Sequence, residues 1–186
     1  MDFPMSFTKN VPGESSEVIA YLLLGSNLGD RAAHIEQAIR ALPAAGVRVL
    51  RRSSLYETEP VDVSPASLAA TERTAQPWFL NAVVEAETSL TPHSLLDALL
   101  AVERSLGRVR SLPGAARTID LDILFYSDLV LCQPGLEIPH PRLAARRFVL
   151  TPLAEIAPGL LHPALGRSVA ELLAATPDRS QVQLVR

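Results

Sequence analysis

The sequence predicts an α+β fold, an antiparallel sheet with helices packed on it. Two observations predict it. Apolar runs of strand length are separated by stretches of helical period, in the order strand, helix, strand, strand, helix, strand. No internal repeat and no linker breaks that order.

The first strand is Val18-Ile19-Ala20-Tyr21-Leu22-Leu23-Leu24, a continuous apolar run that suits a central position buried on both faces. It ends in Gly25-Ser26-Asn27-Leu28-Gly29-Asp30, which is turn chemistry. Ile35, Ala38, Ile39 and Leu42 then recur at helical spacing, with Asn27 or Asp30 as the cap. No G-x-G-x-x-G and no G-K-[ST] is present, so the Gly-Ser-Asn turn reads as structural.

Val47 to Tyr56 is the second strand, and Val61 to Gln76 a long loop rich in Ser, Ala, Thr and Pro. Phe79 to Thr88 is the third strand, expected to pair with the second across that loop. Thr91 caps a second helix with Pro92 at its first position; Leu95, Leu96, Leu99, Leu100 and Val102 form its apolar face, and Gly107 ends it.

A Gly- and Pro-containing segment flanked by Arg108, Arg110 and Arg117 leads into the fourth strand, Arg117 to Phe125. Its alternation sends Ile119, Leu121, Ile123 and Phe125 to one face and Thr118, Asp120 and Asp122 to the other. A short apolar strand through Cys132 follows, and Ser168-Val169-Ala170-Glu171 is a capping box opening a last helix. This is the ferredoxin-like βαββαβ plan. Residues 1–17 are expected to be a flexible leader and 18–186 a single domain.

The composition bounds the function. The 186 residues are 48% hydrophobic and 20% charged, with a net charge of −3, so no global basic signal points to nucleic acid. No run is long enough to span a bilayer, and the first residues lack a secretory apolar core, so a cytoplasmic protein is expected. The single cysteine, Cys132, rules out an intrachain disulfide and sits in an apolar run, where it reads as a small buried hydrophobe.

The chemistry concentrates around the fourth strand. Two strand steps set the Asp120 and Asp122 carboxylates about 7 Å apart on one face. Mg²⁺ takes hard oxygen ligands, commonly one or two carboxylates with substrate phosphates, and neighbouring arginines can meet the same phosphates. No nucleophilic cysteine or Ser/His/Asp arrangement competes with this, and carboxylates with arginines fit phosphoryl-type transfer.

Six segments carry a resemblance, in order. They are Leu23 to Asp30, Ser53 to Pro60, Gln76 to Ala82, Gly107 to Arg110, Arg117 to Ile123, and Ile138 to Arg142. Through them the chain resembles the 6-hydroxymethyl-7,8-dihydropterin pyrophosphokinases of folate biosynthesis. The resemblance implies transfer of diphosphate from ATP to the hydroxymethyl group of the reduced pterin, with AMP released. It implies that Asp120 and Asp122 bind two Mg²⁺ ions and that Arg108 and Arg117 are catalytic. ATP would be contacted by Glu103, Arg108, Arg110, Arg117, Ile123, His140 and Arg146. The pterin would be held by Thr58, Val61, Phe79, Asn81 and Phe148. The chemistry agrees, since a flat pterin can lie between the aromatic faces of Phe79 and Phe148 while an Asn amide reads its edge. Arg142 and Arg147 are left as solvated charge or weak phosphate contacts. A monomer acting on small molecules, with no nucleic-acid or membrane partner, completes the implication.

The loop before Arg117 departs from many relatives in lacking an aromatic and a further basic residue, and Leu100 stands where some carry a polar nucleotide contact. The long 61–76 loop is expected to fold over the pterin side. The rival reading is a nucleic-acid-binding module, since the same fold plan supports RNA recognition on its sheet. The acidic pair on that face and the absence of paired sheet aromatics argue against it.

Overall fold

The computed structural model describes residues 17–61, 77–108 and 116–185. The expected leader (apart from Glu17), the loop residues 62–76, and Arg110 with the rest of 109–115 lie outside the described residues.

Strand β1 (Val18–Ser26) is central, paired antiparallel with β4 (Phe79–Thr88) on one side and β5 (Asp120–Tyr126) on the other. Strands β2 (Val47–Arg52) and β3 (Tyr56–Thr58) both pair with β4, and β3 also pairs with β8 (Val182–Leu184). The order β5-β1-β4-β3-β8, with β2 beside β4, gives the expected antiparallel ferredoxin-like sheet extended by an edge strand.

Leu22 and Leu24 project from β1 into a core beneath helices α1 (Arg31–Ala41) and α2 (Pro92–Ser105), with Ile35, Leu95 and Leu99. Tyr21, Leu23 and Val83 project the other way, into a second core under α3 (Arg147–Ile156) and α4 (Val169–Ala175). Full burial of each such Leu contributes about 1.5–3 kcal/mol, which is why β1 tolerates no polar residue before its end. Helices α3 and α4 cover only part of that second face. The uncovered part, near the end of β1 and the start of β5, is the cleft described below.

The caps follow the sequence. Asp30 accepts from the Ala33 N–H at 3.0 Å and Thr91 from the Ser94 N–H at 3.3 Å. Ser168 and Glu171 form a reciprocal capping box, and Gly107 leaves α2 with φ +80°.

Three expectations need correction. The strand expected over Val47 to Tyr56 is two strands. Ser53 takes over between them, its N–H donating to the Val83 carbonyl at 2.9 Å and its hydroxyl accepting from the Val83 N–H at 2.9 Å. A side chain has replaced a ladder carbonyl, and the chain bends there. Phe125 does not share a face with Ile123. In β5, Ile123 pairs with Leu22 and Phe125 with Tyr21, so Leu124 is an extra residue at a bulge, and Phe125 joins the second core. Cys132 is exposed, because its run forms a two-stranded ribbon, β6 (Leu131–Gln133) with β7 (Leu136–Ile138), that leaves alternate residues in water. Helix α3 and strand β8 were not anticipated at all.

Candidate active site

Several elements converge on one cleft of about 430 Å³. The sheet supplies its floor: Leu23 and Gly25 from β1, Thr58 from β3, Phe79 and Asn81 from β4, Asp120 and Asp122 from β5. Arg108 and Arg117 flank the acidic pair, and His140, Arg142, Arg146 and Phe148 close the opposite wall. Val61 and Glu59 stand at the edge beside Thr58.

Asp120 is gripped from both sides. Its Oδ1 pairs with Arg108 at 2.5 Å and its Oδ2 with Arg117. Arg108 also reaches Glu103, which is 2% exposed, behind the cleft on α2. Glu103 accepts in turn from the N–H of Leu121, between the two aspartates, at 2.7 Å. Burial pushes the Glu103 carboxyl above its usual range, against the pull of the Leu121 N–H and Arg108. For Arg108, burial opposes the charge, but Asp120 and Glu103 outweigh it and its pKa rises. Asp122 lines the same cleft, two residues on. Burial first, then the Asp120 charge, push its carboxyl upward, although Arg117 and Arg146 pull against them.

Arg117 is placed through its backbone by Asn27, 1% exposed in the turn after β1. The Asn27 Oδ1 accepts from the Arg117 N–H at 2.7 Å, and the Asn27 N–H donates to the Arg117 carbonyl at 3.1 Å. The turn read as structural thus positions a cleft arginine.

His140 donates its backbone N–H at 3.0 Å to the carbonyl of Leu124, the bulged residue of β5. Its Nδ1 accepts from the Arg142 N–H at 3.2 Å. Burial, then the Arg146 and Arg142 charges, hold the imidazole down to about 4. It is therefore neutral near pH 7, with Nε2–H left as a donor. Arg146 lies over the Phe148 ring, 5.4 Å from its centroid.

On the other side, the Asn81 Nδ2 donates to the Thr58 hydroxyl at 2.8 Å, and both residues are buried. This leaves the Asn81 Oδ1 beside Gly25, where a Cβ would come within 2.7 Å of it. Gly25 is glycine because of this close approach.

The structure thus gathers eleven of the expected site residues around one space. Glu103 stands one layer back, behind Arg108. The Ile123 side chain is buried in the core beneath α1 and α2, on the face away from the cleft. Sequence reasoning missed Asn27, Gly25, Glu59 and the wall position of Arg142. Asn27 carried a legible signal, a turn asparagine whose amide both donates and accepts; the others carried none.

Fold and cleft define a class: a ferredoxin-like sandwich with a paired-carboxylate, arginine-lined site of the phosphoryl-transfer type. The chain belongs to the 7,8-dihydro-6-hydroxymethylpterin-pyrophosphokinase (HPPK) family, whose model matches residues 21–158. It is 45% identical over 156 residues to a 2-amino-4-hydroxy-6-hydroxymethyldihydropteridine pyrophosphokinase of Methylorubrum extorquens, covering 83% of this chain and 91% of that protein. The enzyme of the same name from Pseudomonas aeruginosa is 44% identical over 160 residues, 84% of this chain and 91% of that one. A folic acid synthesis protein of Pneumocystis carinii is 43% identical over 150 residues; the match covers 81% of this chain and only 19% of that protein. In fold, the chain is similar to the HPPK-DHPS protein of Plasmodium falciparum, with a TM-score of 0.66 at 19% identity over 87% of this chain and 45% of that one. None of this favours the nucleic-acid alternative. Among the described residues no helix is long and apolar enough to cross a membrane.

Proposed function

We propose that this chain transfers diphosphate from ATP to the hydroxymethyl group of 6-hydroxymethyl-7,8-dihydropterin, releasing AMP, and that residues 18–186 act as one domain in doing so. One observation supports this reading above the rest. A carboxylate pair, four arginines and a neutral histidine face the same space as a buried Asn–Thr pair and two phenylalanines. One end suits a triphosphate and the other a flat, amide-edged ring.

The donor set fits divalent cations. Asp120 and Asp122 offer hard oxygens on one face, and the Asp122 carboxyl, pushed up by burial and then by the Asp120 charge, is one that a cation would help to hold ionised. Among the described residues no cluster of three or more acidic, His or Cys side chains forms around a possible ion, and substrate phosphates and water are suited to supply further ligands. Asp120 and Asp122 would hold two Mg²⁺ ions, which when bound neutralise phosphate charge and make the β-phosphorus more electrophilic.

The chain's own groups do the rest. Arg108 and Arg117, both paired with Asp120, stand where they can meet phosphate oxygens of ATP, so their charge is already in place. His140 donates Nε2–H to a phosphate oxygen, and Arg146 adds charge on the same wall. Asn81, its amide N–H committed to Thr58, presents Oδ1 to the donor edge of the pterin. Phe79 and Phe148 stack on the ring, with Val61 at its rim. Glu103 acts through Arg108 and the Leu121 N–H and does not touch the nucleotide. We also propose a monomer at work in the cytoplasm, a compartment that suits a chain with one exposed thiol and no disulfide.

The test is AMP release from ATP and Mg²⁺, with and without the pterin, for wild type and Asp120→Ala. Pterin-dependent AMP that collapses in the variant supports the reading. ADP in place of AMP would mean single phosphoryl transfer, and no product from folded wild type would overturn the activity.

A further inference from the structure

Helix α3 presents Phe148 to the cleft from its first turn, with Arg146 just before it, yet it has no local cap. Arg146 stands at the N-cap position, and its side chain makes no capping hydrogen bond. The first N–H groups of a helix need partners. The Arg147 N–H finds one 31 residues on, in the Asp178 carboxylate at 2.7 Å.

The segment carrying Asp178 lies past residue 158, where the family match ends. The other Asp178 oxygen accepts from the Ser180 N–H at 2.8 Å. The Gln181 N–H donates to the Glu59 carboxylate at 2.8 Å, and the Glu59 N–H donates back to the Gln181 carbonyl at 3.3 Å. Strand β8 follows directly and pairs with β3, Val182 opposite Thr58. Burial pushes the Asp178 carboxyl up, but the Ser180 and Arg147 N–H groups outweigh it and hold it below the usual range, so it stays charged against the helix N-terminus. A continuous rail therefore joins the Phe148 wall to the Thr58–Glu59 wall across the C-terminal segment.

We propose that Asp178, with the segment from Thr176 to Leu184, is a positioning element that sets the width of the pterin side of the cleft. Asp178 touches no substrate. It fixes where α3 begins, and so where Phe148 stands relative to Thr58 and Asn81. The carboxylate pair and Arg117 are positioned independently, by Glu103 and Asn27, so on the ATP side only Arg146, at the start of α3, follows this device.

This inference rests on the proposed activity. The test uses the full chain with Asp178→Ala and Asp178→Asn, measuring AMP release with pterin and ATP varied separately, and a thermal melt of each. In Asp178→Ala the pterin KM rises about tenfold, the scale of one lost charged cap, while the ATP KM, which feels the change only through Arg146, rises by less, about threefold or under. Asp178→Asn, whose amide oxygen still accepts, gives an intermediate rise of about threefold. An unchanged pterin KM in a folded Ala variant overturns the proposal. So does a fall in apparent kcat alone, with both KM values unmoved, that tracks the lost folded fraction. Should the Ala variant not fold, the Asn variant decides: a raised pterin KM supports the proposal and an unmoved one overturns it. If wild type releases no AMP, the activity reading fails and takes this proposal with it; if wild type is active and pterin KM does not respond, only this proposal fails.

Discussion

Replacing Gly25 by Ala adds one methyl group at the point where the sheet floor meets the proposed pterin. The new Cβ falls 2.7 Å from the Asn81 Oδ1 and 3.9 Å from its Cγ. Carbon and oxygen normally approach no closer than about 3.3 Å, so an overlap of roughly 0.6 Å has to be relieved. The backbone of β1 is extended there and accepts alanine, so the strain falls on Asn81. That side chain is 3% exposed and tied to a Thr58 hydroxyl at 2.8 Å. Rotating it away breaks this bond in a buried site, at about 1–3 kcal/mol. For a chain of this size that lowers Tm by on the order of 5 °C. The same rotation removes the acceptor proposed to read the pterin, so pterin KM rises and ATP KM does not. Urea unfolding and AMP-release kinetics measure both. A double-mutant cycle sharpens the test, because Asn81→Ala removes the atom that clashes. The Gly25→Ala cost should largely vanish in the Asn81→Ala background, a coupling of about 1 kcal/mol or more. Additive costs, or a Gly25→Ala protein with wild-type Tm and pterin KM, would refute the reasoning.

Three further outcomes are expected. Glu103→Ala leaves the Leu121 N–H without its acceptor and Arg108 with Asp120 alone, and should lose about 1–3 kcal/mol in urea unfolding, while Glu103→Gln, which still accepts from Leu121, should lose less. His140, held down to about 4 by burial, Arg146 and Arg142, binds its proton later than the unfolded chain does, near 6.5. Folding stability therefore falls as pH drops from about 6.5 toward 4, and His140→Gln should flatten that part of the stability–pH curve. Ser168→Ala removes a capping box on α4, remote from the cleft, and should cost about 1 kcal/mol in a thermal melt with kcat and both KM values unmoved.

Much of this molecule is legible in its sequence where a local pattern and the tertiary context agree. The run Val18 to Leu24 is apolar because β1 is covered on both faces, and Asp30, Thr91 and Ser168 announce their helices by cap chemistry alone. The acidic pair reads correctly as a shared face because nothing interrupts β5 before Leu124. Where the pattern breaks, reading failed for identifiable reasons. Helix α3 carries Pro152 in its interior and takes its cap from a distant segment, so neither its period nor its start is visible locally. Strand β8 is three residues at an edge, too short for alternation to carry weight. Glu103 on a helix reads as a solvated acid, and only the arrival of Arg108 and the Leu121 N–H makes its burial tolerable. Gly25 owes its identity to a residue 56 positions away in sequence, across the sheet.

The extra residue in β5 has a mechanical consequence. Strand β5 lies at the sheet edge, and the carbonyl of its inserted residue, Leu124, is the one on which the loop bearing His140 docks. The imidazole is thus keyed to the same strand as Asp122, two residues from it, and not to the loops around the mouth. Acid and imidazole therefore share one anchor, the end of β5. Anyone transplanting this cleft onto another sheet would have to carry the irregularity along with the side chains.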